Sequence, residues 1–363
     1  AWGWPGRNWC WDRVKAKACY PNKEGEPLRN WWWAQEAAWR AGRGVPHPND
    51  LLLTGLEDHT VCDLPQNGVW NGITDEERRA AQLWLDANLG TYVLNLPSAS
   101  QRWQMMSQRL SQLRINGTRI PGVDVTQPGG LDKAKAEGLI PADWSYSAAK
   151  STVEGLMQYS ENGGVDIVQD WMGIGTVGCA AAHLRAQLIA QNLSRQSGKH
   201  MALVLEDDVW LEDDFAVKLY RLVTKELPCD WQAVSLTSRC PYGACVSKHL
   251  TRVQPDGNEP GENCHGGVNY GMYGQLYRVS EIQDINRHLK NKIWNLTTPA
   301  CLPVDIAMAA ISDEVSYYAV PMFQQPGLLN EASVGGSDRI RMNRATMTKE
   351  ERALDRAAQK KPS

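Results

Sequence analysis

Phenylalanine is almost missing from this chain, with two residues in 363, and histidine is scarce at seven. Long apolar runs are missing altogether, and nothing approaches the roughly 20 apolar residues that a membrane-crossing helix needs. Positive charge is not in excess either. Lys and Arg together number 38 against 41 Asp and Glu, a formal net charge of −3. That balance provides no basic footprint for nucleic acid. No CxxC pair occurs, which argues against a Cys/His zinc cluster. No Gly-Lys-Ser/Thr follows the glycine-rich run at Gly173, so a Walker phosphate loop is excluded.

What is present suits one large α/β domain with an extension, or two domains, with 42% hydrophobic residues to build a core. Tryptophan is abundant at 16 residues. An indole has a flat apolar face and one N–H donor, so it serves sugar stacking as well as core filling. Nine cysteines and three Asn-x-Ser/Thr sequons, at Asn116, Asn192 and Asn295, point to the ER or Golgi lumen or to secretion. On that reading the targeting segment lies outside this sequence. Cys179 reads as a buried thiol in a small-residue helix. The other eight cysteines form an even set compatible with four bridges, and Cys240 and Cys245 flank a turn.

The chain divides into a Trp/Cys-rich accessory extension (1–90), a main α/β domain (91–340) and a charged tail (341–363). The extension holds Trp31-Trp32-Trp33, Cys10, Cys19 and Cys62, and its tryptophans are expected to pack on the main domain. A helix is predicted from Thr74, with Glu77 three residues on as in a capping box. Thr91 to Leu96 reads as a buried strand, followed by a helix over Gln101 to Leu113 that Ser98 or Ser100 would cap. With a second strand over Arg119 to Val125, this makes a βαβ unit. Arg102, one turn into the helix, is either a surface residue or a contact for phosphate or uracil.

Glycines at Gly173 to Gly178 lead into a small-residue helix, a pattern similar to a phosphate cradle at a helix N-terminus. His183 lies in that helix, where a histidine is more often a satisfied core residue than a ligand. The stretch Met201 to Phe215, MALVLEDDVWLEDDF, organises the rest. Met201 to Leu205 has the continuous apolar pattern of a strand buried on both faces. Its end delivers Glu206, Asp207 and Asp208 to the sheet edge where open α/β proteins bind ligands. Three neighbouring carboxylates repel one another unless a cation or donor-rich ligand joins them. The set reads either as a Mg²⁺ or Mn²⁺ diphosphate site or as a solvated acidic turn. Asp213 and Asp214 read as caps of the next helix. Further strands are expected at Trp231 to Leu236, Tyr270 to Val279 and Tyr317 to Pro321, with a lid-like loop over Cys240 to Gly271. Helices are expected at Glu281 to Lys290 and Leu302 to Ile311. Asp305, an isolated acid opening the second, is either an N-cap or a catalytic base.

TYVLNLPSASQR, GTVGCAAAH, ALVLEDDVWLEDDF, PVDIAMA and Gly335-Gly336-Ser337-Asp338 occur in that order. Together they resemble glycosyltransferase family 25, over roughly Thr91 to Asp338. The resemblance implies a GT-A-like, mostly parallel sheet flanked by helices, and a sugar, typically galactose, moved from a UDP-sugar to an acceptor hydroxyl. It implies Mn²⁺ (or Mg²⁺), held by Asp208 and Glu206. Arg102, Gly178, His183, Glu206 and Asp207 fall in donor-side segments, and Asp305 falls on the family's Pro-x-Asp acid, implying a general base and inversion. Ala182 replaces the family's small hydroxyl residue, and His265 is the candidate third metal ligand. The expected partners are a nucleotide-sugar donor and a protein or glycan acceptor. A non-catalytic sugar-binding or assembly module and a metal-dependent phosphoesterase are the competing readings.

Overall fold

The computed structural model describes residues 72–158, 173–238, 243–247, 250–253, 271–296, 301–321 and 328–331. The Trp31-Trp32-Trp33 segment with Cys10, Cys19 and Cys62, the residues Cys240 and His265, the Gly335 to Asp338 stretch and the charged tail lie outside them.

Helix α1, Asp75–Asn88, begins where Thr74 accepts a hydrogen bond from the Glu77 backbone N–H at 3.2 Å. The Glu77 side chain completes no capping box. It accepts instead from Arg221 Nε at 2.6 Å, tying α1 to a distant helix. Strand β1 (Leu89–Asn95) follows without a break, then α2 (Ser100–Gln112) and β2 (Gly117–Pro121). Neither Ser98 nor Ser100 caps α2: Ala99 is the N-cap and supplies no side-chain bond. Two helices, α3 (Gly130–Ala136) and α4 (Tyr146–Gln158), precede the long α5 (Ile174–Gln196) and β3 (Met201–Glu206). Next come β4 (Val209–Leu211), α6 (Phe215–Arg221) with a π-helical turn at Leu222–Glu226, and β5 (Ala233–Ser238). The stretch expected as a lid loop contributes strands instead, β6 (Gly243–Ser247) and β7 (Leu250–Val253). The order closes with β8 (Gly274–Arg278), α7 (Ile282–Ile293), α8 (Val304–Ala310), β9 (Tyr317–Pro321) and β10 (Leu329–Glu331).

Eight strands form one sheet in the order β2-β1-β3-β8-β5-β9-β7-β6. Strands β2, β1, β3, β5, β9 and β6 run one way, and only β8 and β7 run against them. This is the mostly parallel, helix-flanked α/β sheet that the sequence predicts. Alternation along each strand feeds two cores. Ala202 and Val204 of β3 join the core under α5, α7 and α8. Leu203 and Leu205 join the core on the other face, with α1, α2 and α6. Burial on both faces explains why β3 carries no polar residue until Glu206.

Neither Asp213 nor Asp214 caps α6 through its side chain. Asp214 is the N-cap residue of α6 without a side-chain cap bond, and pairs with Lys218 at 2.8 Å. Asp213 pairs with the buried Arg109 at 2.7 Å. Because Arg109 also donates to the Leu211 carbonyl, both acids serve to fix the turn after β4.

Candidate active site

The register of the sheet builds the site. Leu94 lies opposite Glu206 across the parallel β1–β3 pair, so Asn95 and the acids after Glu206 emerge side by side. Crossover helices of parallel strands start near these C-terminal ends, which brings α2 and its Arg102 to the same edge.

Asp207 turns toward α2. Its side chain, 7% exposed, stands 3.1 Å from Arg102 Nε, though that N–H is not aimed along a hydrogen bond. Asn95 Nδ2 donates to the other carboxylate oxygen, and Arg119 in turn donates to Asn95 Oδ1. Burial nevertheless pushes the Asp207 carboxyl above its ordinary value, outweighing the help from Asn95 and Arg102, and nearby Glu206 adds to the rise. Asn95 is a site residue that sequence reading passed over. The available signal was its place at the end of TYVLNL, in register with the acidic strand end.

Glu206 turns toward the opposite helix layer. His183, 1% exposed on α5, has Nε2 2.9 Å from Glu206 Oε1, while His183 Nδ1 is buried without a hydrogen-bond partner. Asp305 lies in the first turn of α8, after Pro303 as N-cap, and so is not itself the cap. Its Oδ2 accepts from Gly271 N and its Oδ1 from Ile306 N, each at 2.9 Å. Burial pushes the Asp305 carboxyl up, the two backbone donors offset part of this, and Glu206 raises it further. The residue as a whole keeps partial exposure. Asp208, half-buried, lines a small hollow with Arg102, Asp207 and Trp210.

Gly178 sits one turn inside α5, which begins after the N-cap Gly173. Gly173, Gly175 and Gly178 have Gly-x-Gly-x-x-Gly spacing. A Cβ on Gly175 would meet nothing, but one on Gly178 would stand 2.5 Å from the Val123 carbonyl oxygen. The last glycine thus lets the helix approach the chain leaving β2. Cys179, expected to be buried, is exposed on α5. It lies four residues before the buried His183, on the side of the helix that reaches the end of β3, where the edge of the site is open. Cys229 likewise is not disulfide-bonded, so four bridges among the other eight cysteines do not form.

The arrangement thus brings Arg102, Asp207 and Asp208 together on one side of the strand end, and His183, Glu206 and Asp305 on the other. Hard oxygen donors in this number suit a divalent cation, and the rise that Glu206 adds to the Asp305 carboxyl is an effect a nearby cation would offset.

The family model described as glycosyltransferase family 25 (LPS biosynthesis protein) matches residues 88–239. Among solved structures, the chain is similar to a glycosyltransferase involved in the glycosylation of the major capsid of PBCV-1. The identity is 9%, the match covers 72% of this chain and 100% of that chain, and the TM-score is 0.38. No curated protein sequence matches.

Proposed function

We propose, from the premise that residues 88–239 belong to glycosyltransferase family 25, that this glycosyltransferase moves a sugar from a UDP-sugar to an acceptor hydroxyl. The sugar proposed is galactose, the acceptor a protein or glycan, and the transfer metal-dependent with inversion. One observation carries the reading: three carboxylates of different exposure and partnering stand at the end of a single buried strand, with Asp305 of α8 near enough to Glu206 to feel its charge. Asp207 is buried and already balanced by Arg102 and Asn95. Glu206 and Asp208, half-buried and more exposed than Asp207, are the carboxylates that would hold Mn²⁺ or Mg²⁺. A bound cation supplies charge neutralisation for a nucleoside diphosphate leaving group. Arg102, beside Asp207, provides the planar cation suited to a phosphate oxygen. His183 orients Glu206 through their hydrogen bond.

Asp305 is the proposed general base. A carboxyl raised above its ordinary value takes a proton from an attacking hydroxyl more readily than an ordinary aspartate does. The backbone donors from Gly271 and Ile306 fix its direction. A lumenal or secreted setting belongs to the same proposal. It is supported by exposed asparagines in two of the sequons, Asn116 and Asn192.

The test is a screen of UDP-sugars with Mn²⁺, offering protein and glycan acceptors and weighing products by mass spectrometry. Mn²⁺-dependent transfer, abolished by chelation, is expected. Phosphate-ester cleavage without sugar transfer would favour a phosphoesterase instead, and no turnover of any donor would favour a sugar-binding module.

A further inference from the structure

The exposed thiol of Cys179 places a soft donor against two groups that the transferase reading uses for other purposes. Cys179 and His183 are four residues apart on α5 and so share one face of the helix. That face looks onto the end of β3. A sulfur from Cys179, a ring nitrogen of His183 and a carboxylate oxygen of Glu206 all lie within 4.8 Å of one another. These are one ligand of each kind from the set that zinc selects. The Cys179 and His183 spacing is only a weak hint in the sequence, because the cluster has no CxxC or His-x-His spacing and Glu206 joins it only when α5 packs on β3.

We propose that Cys179, His183 and Glu206 form a binding site for a thiophilic divalent cation of the Zn²⁺ class, which shares Glu206 with the all-oxygen set that includes Asp208. Donor atoms sharing one tetrahedral zinc stand roughly 3.5 Å apart. The observed spread of up to 4.8 Å closes with about 1 Å of side-chain adjustment, and Cys179 is exposed enough to make it. Charge also balances. The thiol releases its proton to solvent on binding, and thiolate plus carboxylate then neutralise a dication beside a neutral imidazole. The existing His183–Glu206 hydrogen bond shows that the two side chains already face each other at 2.9 Å. A thiolate in the set favours Zn²⁺ over Mn²⁺, which prefers oxygen donors. Three protein ligands leave the fourth position to water or to a ligand from the exposed side, as in open zinc sites.

Cobalt substitution tests this on the full chain after chelation and removal of the chelator. Co²⁺ should bind with a thiolate-to-metal charge-transfer band and tetrahedral visible bands, displaced by Zn²⁺ and not by excess Mn²⁺. Cys179→Ser should remove the charge-transfer band, and Cys229→Ser, at a second exposed cysteine outside any disulfide, should leave it intact. His183→Gln should weaken Co²⁺ binding at least tenfold in samples whose circular dichroism matches wild type. Absence of the band in the wild type would overturn the site, as would its survival in Cys179→Ser. Mn²⁺ displacing Co²⁺ as readily as Zn²⁺ does would overturn it too. Because the readout is a spectrum and the proposed transfer uses no sulfur, failure here leaves the transferase reading standing.

Discussion

Arg102 and Asp207 form an ion pair of 3.1 Å between a half-buried guanidinium and a carboxylate only 7% exposed. The pair joins α2 to the end of β3, and it holds one acid of the strand end out of the solvent-facing set. Asp207 is therefore a structural acid between two more exposed carboxylates, Glu206 and Asp208.

Removing the arginine should leave that carboxylate buried with Asn95 as its remaining partner. Breaking a buried pair from one side is strongly destabilising, and the partial exposure of Arg102 moderates the effect. Arg102→Ala should lower unfolding free energy by about 2 kcal/mol in urea titrations. The double change Arg102→Ala with Asp207→Asn should recover part of that loss. Equal instability of the single and double variants would show that the pair is not what holds this corner.

Asp305 supplies a pH signature. Its folded-state carboxyl is raised above the ordinary value by burial, with Glu206 adding to the effect. The folded protein thus holds this proton more tightly than the unfolded chain does. The associated stability is fully present below the ordinary aspartate value and is lost as pH rises through the raised one. The melting temperature of Asp305→Asn relative to wild type should therefore climb as pH is raised from the acid range to neutrality. A difference that stays flat, or falls, would contradict the raised carboxyl. The same substitution should abolish sugar transfer.

Glu77 has the opposite sign. Hydrogen bonding from Arg221 holds its carboxyl below the ordinary range. Its contribution is present above the ordinary glutamate value and disappears as pH falls through the lowered one. Glu77→Gln should cost about 2–3 kcal/mol at neutral pH by leaving the buried Arg221 without its carboxylate. The deficit against wild type should shrink in acid. Chemical denaturation at two pH values would show it, and an unchanged deficit would indicate that the Arg221 bond is not the cause.

Much of the fold was legible because the strands are buried on both faces. Met201 to Leu205 and Tyr317 to Pro321 are continuous apolar or aromatic segments, and the helix after Thr74 carries its own start signal. The direction of β8 was not legible, since an apolar run has no polarity in sequence, and pairing with β3 and β5 decides it. The hairpin of β6 and β7 hid in a Gly- and Pro-containing stretch that reads as loop. At the site, Glu206, Asp207, Asp208 and Asp305 could be named from residue type and position. Their division between the two helix layers could not, because it depends on how the chain turns after Glu206. Asn95 and the ion-pairing of Asp213 depend on neighbours more than 80 residues away, and the exposure of Cys179 on helix phase, neither of which a local pattern records.

Binding of UDP itself tests the central claim most directly. Isothermal titration of UDP into the full chain, with Mn²⁺ and then in chelator, compares wild type with Asp208→Asn at matched folded content. The account predicts Mn²⁺-dependent binding by the wild type and at least about tenfold weaker binding by the variant. UDP binding of equal strength with and without metal, or an Asp208→Asn protein that binds as the wild type does, would contradict it.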